Sequence, residues 1–330
     1  MKFYRSFVAA FALFAAFTAA NAFSFDVVNL WPSTPPGDKP EQYQDAGGEW
    51  YIPRIEFWRP EKQTTDACII ISCGGCYNGV AYEVEGVMPR DFFLDHGVAV
   101  VMLWYRTPRR PNVPKHFAAW QDVQRAVRVV RAHAKEWNID PNKIGEMGFS
   151  AGSHLCLMAA TSSMTKTYEP VDDIDKLPCN VNFAIPVYPA YALTDGVDNP
   201  NTGKGVDAEL VDDFKFDAQT CPMCFIHGDG DDYSAMASMK VYQRLKGMGI
   251  PGEVHIYAYA NHAFRNCGPD APILKYPQRV FEWMQTLGFV EAPKAPRLNT
   301  KSLLRARCFP VFLQWSPCFV KQGDALLTTF

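Results

Sequence analysis

A serine flanked by glycines, Gly148-Phe149-Ser150-Ala151-Gly152, is where this chain could turn a hydroxyl into a nucleophile. A serine oxygen attacks poorly at its own pKa and needs a base beside it and a backbone that pushes it into the open. The pattern lies between a short strand-like stretch, Ile144 to Phe149, and residues on a helical period, Leu155, Met158, Ala159 and Ala160. It therefore predicts a sharp strand-to-helix turn with Ser150 at its apex. Glycine at 148 and 152 allows strand and helix to approach closely. The helix start adds N–H groups and a positive dipole end near the oxygen that becomes negative.

An acid and a base are expected at other strand ends. Cys224-Phe225-Ile226-His227-Gly228-Asp229-Gly230-Asp231-Asp232 is an apolar strand running into an acidic loop. Asp231, four residues after His227, is favoured as the carboxylate that orients an imidazole, with Asp229 and Asp232 as alternatives. The strand near Glu253 to Tyr259 ends in Ala260-Asn261-His262, which puts His262 on a loop as the base. The chain order Ser150, Asp231, His262 is that of one large family of serine hydrolases. His154 reads as a packed or capping group, His133 and His255 as structural, and His227 as a hydrogen-bonding neighbour of the acid. Oxyanion donors are expected from the N–H of Ala151 and from Gly75 and Cys76, in Cys73-Gly74-Gly75-Cys76-Tyr77 after the Ala67 to Ser72 run. Each such donor is worth on the order of 10² to 10³ in rate.

The elements that must hold these residues alternate. Strands are expected at Tyr51 to Trp58, Ala67 to Ser72, Val98 to Tyr105, the run before Ser150, Val181 to Tyr188, Cys224 to His227 and Glu253 to Tyr259. Helices are expected at Glu83 to Leu94, Ala118 to Trp137, after Ser150, at Ser234 to Met248 and at Gln278 to Leu287, with Pro277 near the start of the last. This order gives an α/β fold with a mainly parallel central sheet and helices on both faces, and chemistry at the carboxyl ends of the strands. The domain is expected over 23–290. Pro32 to Gly48 reads as an irregular approach, and 291–330 as an irregular tail with scattered prolines.

Composition narrows the class. The 330 residues are 48% hydrophobic, enough for a large core, and the net charge of -3 offers no footprint for nucleic acid. Residues 1–22 pair Lys2 and Arg5 with an apolar run and a small-residue site at Ala20-Asn21-Ala22, the pattern of a secretory signal peptide. Its removal leaves 30 basic against 35 acidic residues, a charge of -5, in a secreted or periplasmic protein with no later membrane span. All ten cysteines lie beyond it. The Cys73/Cys76 and Cys221/Cys224 pairs sit at strand edges rather than in a zinc knuckle, and chemistry by a serine, a base and an acid implies neither a metal nor an organic cofactor.

Taken together, Leu30-Trp31-Pro32, Cys73-Gly74-Gly75-Cys76-Tyr77, Glu85-Gly86, Tyr105-Arg106, Gln121-Asp122, the Ser150 motif, His227-Gly228 with Asp231, and His262 resemble the secreted esterase/lipase branch of the α/β-hydrolases that contains acetylxylan-esterase-like carbohydrate esterases. The resemblance spans about Val28 to Phe289 and implies the α/β-hydrolase fold and structural roles for Arg106 and Asp122. Members show Pro-Gly-Gly-Gly-Tyr where this chain has cysteines at 73 and 76, and Gly-Gly-His where Ser153 replaces the second glycine. The implied activity is cleavage of carboxylic esters, acetyl first, on a polysaccharide or oligosaccharide. Tyr77 and Tyr188, with Tyr191 and Phe264, are the expected sugar-facing aromatics. Feruloyl esterase and serine exopeptidase are alternatives on the same fold, and a non-catalytic carbohydrate-binding protein is the alternative from another class. Oligomeric state is left open.

Overall fold

In the computed structural model, residues 23–39, 52–200 and 204–291 are described. The expected signal peptide, most of the expected tail, and Cys308 and Cys318 lie outside them. The chain divides into two units, Met1–Ala292 and Pro293–Phe330, and every described residue belongs to the first.

Among the described residues eight strands form one sheet: β1 Phe25–Asn29, β2 Arg54–Trp58, β3 Cys68–Ser72, β4 Ala99–Trp104, β5 Ile144–Phe149, β6 Phe183–Val187, β7 Met223–Gly228 and β8 Gly252–Tyr257. Their spatial order is β1-β2-β4-β3-β5-β6-β7-β8. The pairs β1/β2 and β2/β4 are antiparallel, and every pair from β4 to β8 is parallel. Parallel strands need crossovers, and the helices supply most of them: α1 Val87–Asp95, α2 Phe117–Ala132, α3 Ala151–Thr161 and α4 Met236–Gly247, with α5 Tyr276–Thr286 after the last strand.

Strand alternation sends neighbouring residues to opposite faces. Cys68 and Ile70 of β3 pack with residues of α2, α3 and α4, whereas Ile69 and Ile71 pack with those of α1 and α5. Both faces are thus covered, which is why β3, β4, β5, β6 and β7 are buried along their whole length.

Two expected helices shift, and one strand adds to those expected. The stretch before residue 32 contributes an edge strand, β1, whose mostly exposed residues carry no core pattern. The helix expected to reach Trp137 ends at Ala132; the chain turns so that Trp137 stacks on Phe57 at 4.0 Å. The start of the Glu83 helix is a π-helical turn, Tyr82–Gly86, continuous with α1. Pro277 sits in the first turn of α5, where its missing N–H costs no helical bond.

Arg106 and Asp122 form the buried bracket beneath the N-terminal approach. Arg106 Nε lies 3.0 Å from both oxygens of Asp122, and the guanidinium also reaches Pro36 O, Ala118 O and Gln121 Oε1. Trp31 Nε1 donates to the same carboxylate at 2.8 Å. Two charges taken out of water need this degree of pairing.

Candidate active site

Ser150 sits between β5 and α3 with φ 52 and ψ -117. That conformation costs a non-glycine residue about 1–3 kcal/mol and persists only where its surroundings hold it. Here Ser150 N–H donates to Val187 O on β6, and Ser150 O accepts from the N–H of Ser153, His154 and Ala190. Helix and sheet meet so closely that a Cβ on Gly152 would stand 2.0 Å from Ser72 O, so no side chain fits there.

The partners arrive from the last two strands. Asp231 follows β7, where its N–H donates to Gly228 O and its Oδ1 accepts from Tyr233 N–H at 2.8 Å. The loop after β8 is clamped by reciprocal bonds between Asn261 and Asn266 and by Asn266 Nδ2 to Tyr259 O. Gly230 N–H donates to Ala260 O, joining the acid loop to the base loop. His262 Nε2 lies 2.8 Å from Ser150 Oγ, and its Nδ1 lies 3.0 and 2.9 Å from the two oxygens of Asp231. Of the three candidate acids, Asp231 is buried against the imidazole while Asp229 and Asp232 are exposed. Residues 112 apart in the chain therefore touch through one proton path.

The expected donor loop packs against the serine. A Cβ on Gly74 would stand 2.8 Å from Ser150 Cβ. Gly74 N–H is taken by Glu85 Oε2. No acceptor among the described residues engages the N–H of Gly75 or Cys76, whose φ values are 123 and 57. Ala151 opens α3, where the first N–H groups have no intrahelical acceptor.

Glu85 was not singled out from sequence as a site residue. Its other oxygen accepts from Tyr188 OH at 3.3 Å, and the Tyr188 ring packs edge-on to His262 at 5.1 Å. One carboxylate thus ties the Gly74 loop to the ring that braces the imidazole. Burial raises its pKa, opposed by the Gly74 N–H and by His262.

Tyr77 and Tyr188 correct the expectation that they face sugar. Tyr77 is fully buried, with its hydroxyl 2.8 Å from His154 Nδ1, and Tyr188 is 2% exposed with its hydroxyl on Glu85. Strand-end rings here fill the core beneath the site. Tyr191 and Phe264 are buried as well. The aromatic beside the imidazole with part of its surface open is Tyr233, 5.0 Å from His262. Tyr191 contacts the Cys76 thiol and the Tyr233 hydroxyl, while Arg109 Nε donates to Cys76 O. His227 is buried between Ser238 Oγ and Tyr233 O, so it supports the acid loop from below. Burial lowers its pKa to about 4, which keeps it neutral. All eight cysteines of the described residues are free thiols.

The chain is 28% identical over 220 residues to an acetylxylan esterase from Xylanibacter ruminicola, covering 62% of this chain and 42% of that one. It is 29% identical over 211 residues to endo-1,4-beta-xylanase B of Butyrivibrio fibrisolvens, covering 62% of this chain and 32% of that protein. The match thus takes in less than half the length of either relative. The fold aligns with that of the acetyl ester-xyloside bifunctional hydrolase from Caldicellulosiruptor lactoaceticus at a TM-score of 0.65 and 23% identity, over 80% of this chain and 97% of the other. Residues 55–229, more than half of the 330, match the BD-FAE family. The chain belongs to the BD-FAE family and has the α/β-hydrolase fold.

Proposed function

We propose that this chain is a carboxylic ester hydrolase that removes short acyl groups, acetyl first, from a polysaccharide or its oligomers. The observation that carries the reading is the unbroken contact from Ser150 Oγ through His262 to Asp231. As Ser150 attacks the ester carbonyl, His262 Nε2 takes its proton and Asp231 holds the imidazolium formed. The oxyanion is held by the N–H groups of Ala151, Gly75 and Cys76. His262 returns the proton to the departing alcohol, leaving an acyl-enzyme on Ser150. Water, deprotonated by the same imidazole, then releases the acid.

Acetyl is favoured by the acetylxylan esterase relative and by Cys76, which stands in the donor loop where a third glycine would leave more room beside the acyl group. Export guided by residues 1–22 agrees with a polymeric substrate outside the cytoplasm. Ser150→Ala is expected to abolish turnover of p-nitrophenyl acetate, and full retained turnover sinks the mechanism. Release of acetate from acetylated xylan, set against ferulate release and cleavage of proline-ended peptides, tests the substrate. Faster ferulate release would overturn the acetyl assignment and leave the mechanism standing.

A further inference from the structure

A second set of side chains able to bind something converges beside the nucleophile helix. His116 immediately precedes α2, His154 lies one turn after Ser150 on α3, and Asp213 is in the segment between β6 and β7. Asp213 Oδ2 is 3.2 Å from His154 Nε2 and 3.7 Å from His116 Nδ1, and one ligand atom from each residue lies within 4.8 Å of the others. Ligands at about 2.0–2.1 Å around a tetrahedral zinc ion stand about 3.3 Å apart, close to two of these edges.

Two further observations point to a ligand. His154 Nε2 is fully buried and, despite the nearby carboxylate, has no well-formed hydrogen bond among the described residues, an arrangement costly for a buried polar atom. Its other nitrogen lies 2.8 Å from Tyr77 OH, which fixes the ring with Nε2 turned toward the cluster. A zinc-bound imidazole is held through its second nitrogen in the same manner. Of the cations near the cluster, Lys115 is tied to Asp198 at 3.2 Å and lies over the Tyr191 ring, and Lys215 acts on Asp213.

We propose that His116, His154 and Asp213 bind a divalent transition-metal ion of the zinc type, with a fourth position for water. The ion joins the start of α2, the nucleophile helix and, through Tyr77, the donor loop, and so braces the site without taking part in the ester chemistry. A second group, Cys224, Glu253 and His255, lacks the orphaned atom, because His255 Nε2 already lies 2.7 Å from Glu253 Oε1.

The test uses the whole chain, stripped with chelator and returned to Zn²⁺, with metal per chain read by mass spectrometry and melting followed by calorimetry. One zinc per chain is expected, with a melting rise of about 5 °C at zinc about 100-fold above Kd. His116→Gln and Asp213→Ala are each expected to lose the ion and the rise, while His255→Ala and His262→Ala keep both. Asp213 is partly exposed, so its replacement leaves the fold testable should His116→Gln unfold the chain. No stoichiometric zinc in the wild type, or undiminished zinc in Asp213→Ala, would overturn the proposal.

Discussion

Replacing Asp231 by Asn changes one atom and reverses a hydrogen-bond direction. In the wild type both Asp231 oxygens face His262 Nδ1, at 3.0 and 2.9 Å, and Oδ1 also accepts from Tyr233 N–H. An asparagine that keeps its oxygen toward Tyr233 presents an NH₂ to Nδ1, so Nδ1 must accept. The imidazole proton then sits on Nε2, 2.8 Å from Ser150 Oγ, where a lone pair is needed. Flipping the amide restores the tautomer but sets NH₂ against the Tyr233 N–H, two donors face to face in a buried place. Both arrangements fail, and the equivalent change in a serine protease costs about 10⁴ in kcat, about 5.5 kcal/mol at 1.36 per tenfold. We expect a similar loss in kcat/KM on p-nitrophenyl acetate, with slow fluorophosphonate labelling of Ser150. Asp229→Asn and Asp232→Asn, both at exposed positions, should stay within about twofold. An Asp231→Asn enzyme within tenfold of wild type would refute the tautomer reasoning.

The same geometry sets other outcomes. Glu85→Ala frees Gly74 N–H and the Tyr188 hydroxyl, and should lower kcat by about 10- to 100-fold with little change in KM, since hydrogen bonds to charged groups are worth about 1.5–3 kcal/mol; an unchanged kcat removes Glu85 from the positioning role. Burial raises the Glu146 carboxyl from 4.5 to about 8. Because the folded value is the higher one, this residue's contribution to stability is full below pH 4.5 and is lost as pH rises through 8. Glu146→Gln should flatten the decline in melting temperature between pH 5 and 8.5, and parallel wild-type and variant curves would contradict it. Asp122→Ala leaves the Arg106 guanidinium buried without its carboxylate and should cost about 3–5 kcal/mol in urea unfolding, whereas a loss below 1 kcal/mol would mean that the pair is dispensable.

Much of the site was legible because its residues break local rules. A serine between two glycines at the end of a strand has few structural excuses, and the order of acid and base then points to the loops after β7 and β8. Choosing Asp231 over its neighbours needed the third dimension, since three carboxylates in four positions differ only in which side of the loop each faces. The aromatics misled because a ring at a strand end can point down into the core as readily as up to solvent, and the sequence period is the same. Glu85 was hidden because its work is done on a backbone N–H and a tyrosine 103 residues away. β1 escaped because an exposed edge strand needs no apolar alternation. The His116, His154 and Asp213 group has no spacing motif, as its members come from three separated segments.

The imidazole hangs from the rim of the sheet. Among the described residues β8 pairs with β7 alone, and none of its residues is fully buried, whereas the strand leading to Ser150 lies between two neighbours. Fraying should begin at such a border, where opening costs less free energy than global unfolding. Warming or mild urea would then silence turnover while the protein still looks native by far-UV circular dichroism, and cooling would restore it without refolding. A thermostable version would be sought by fastening that outer strand rather than by enlarging the core.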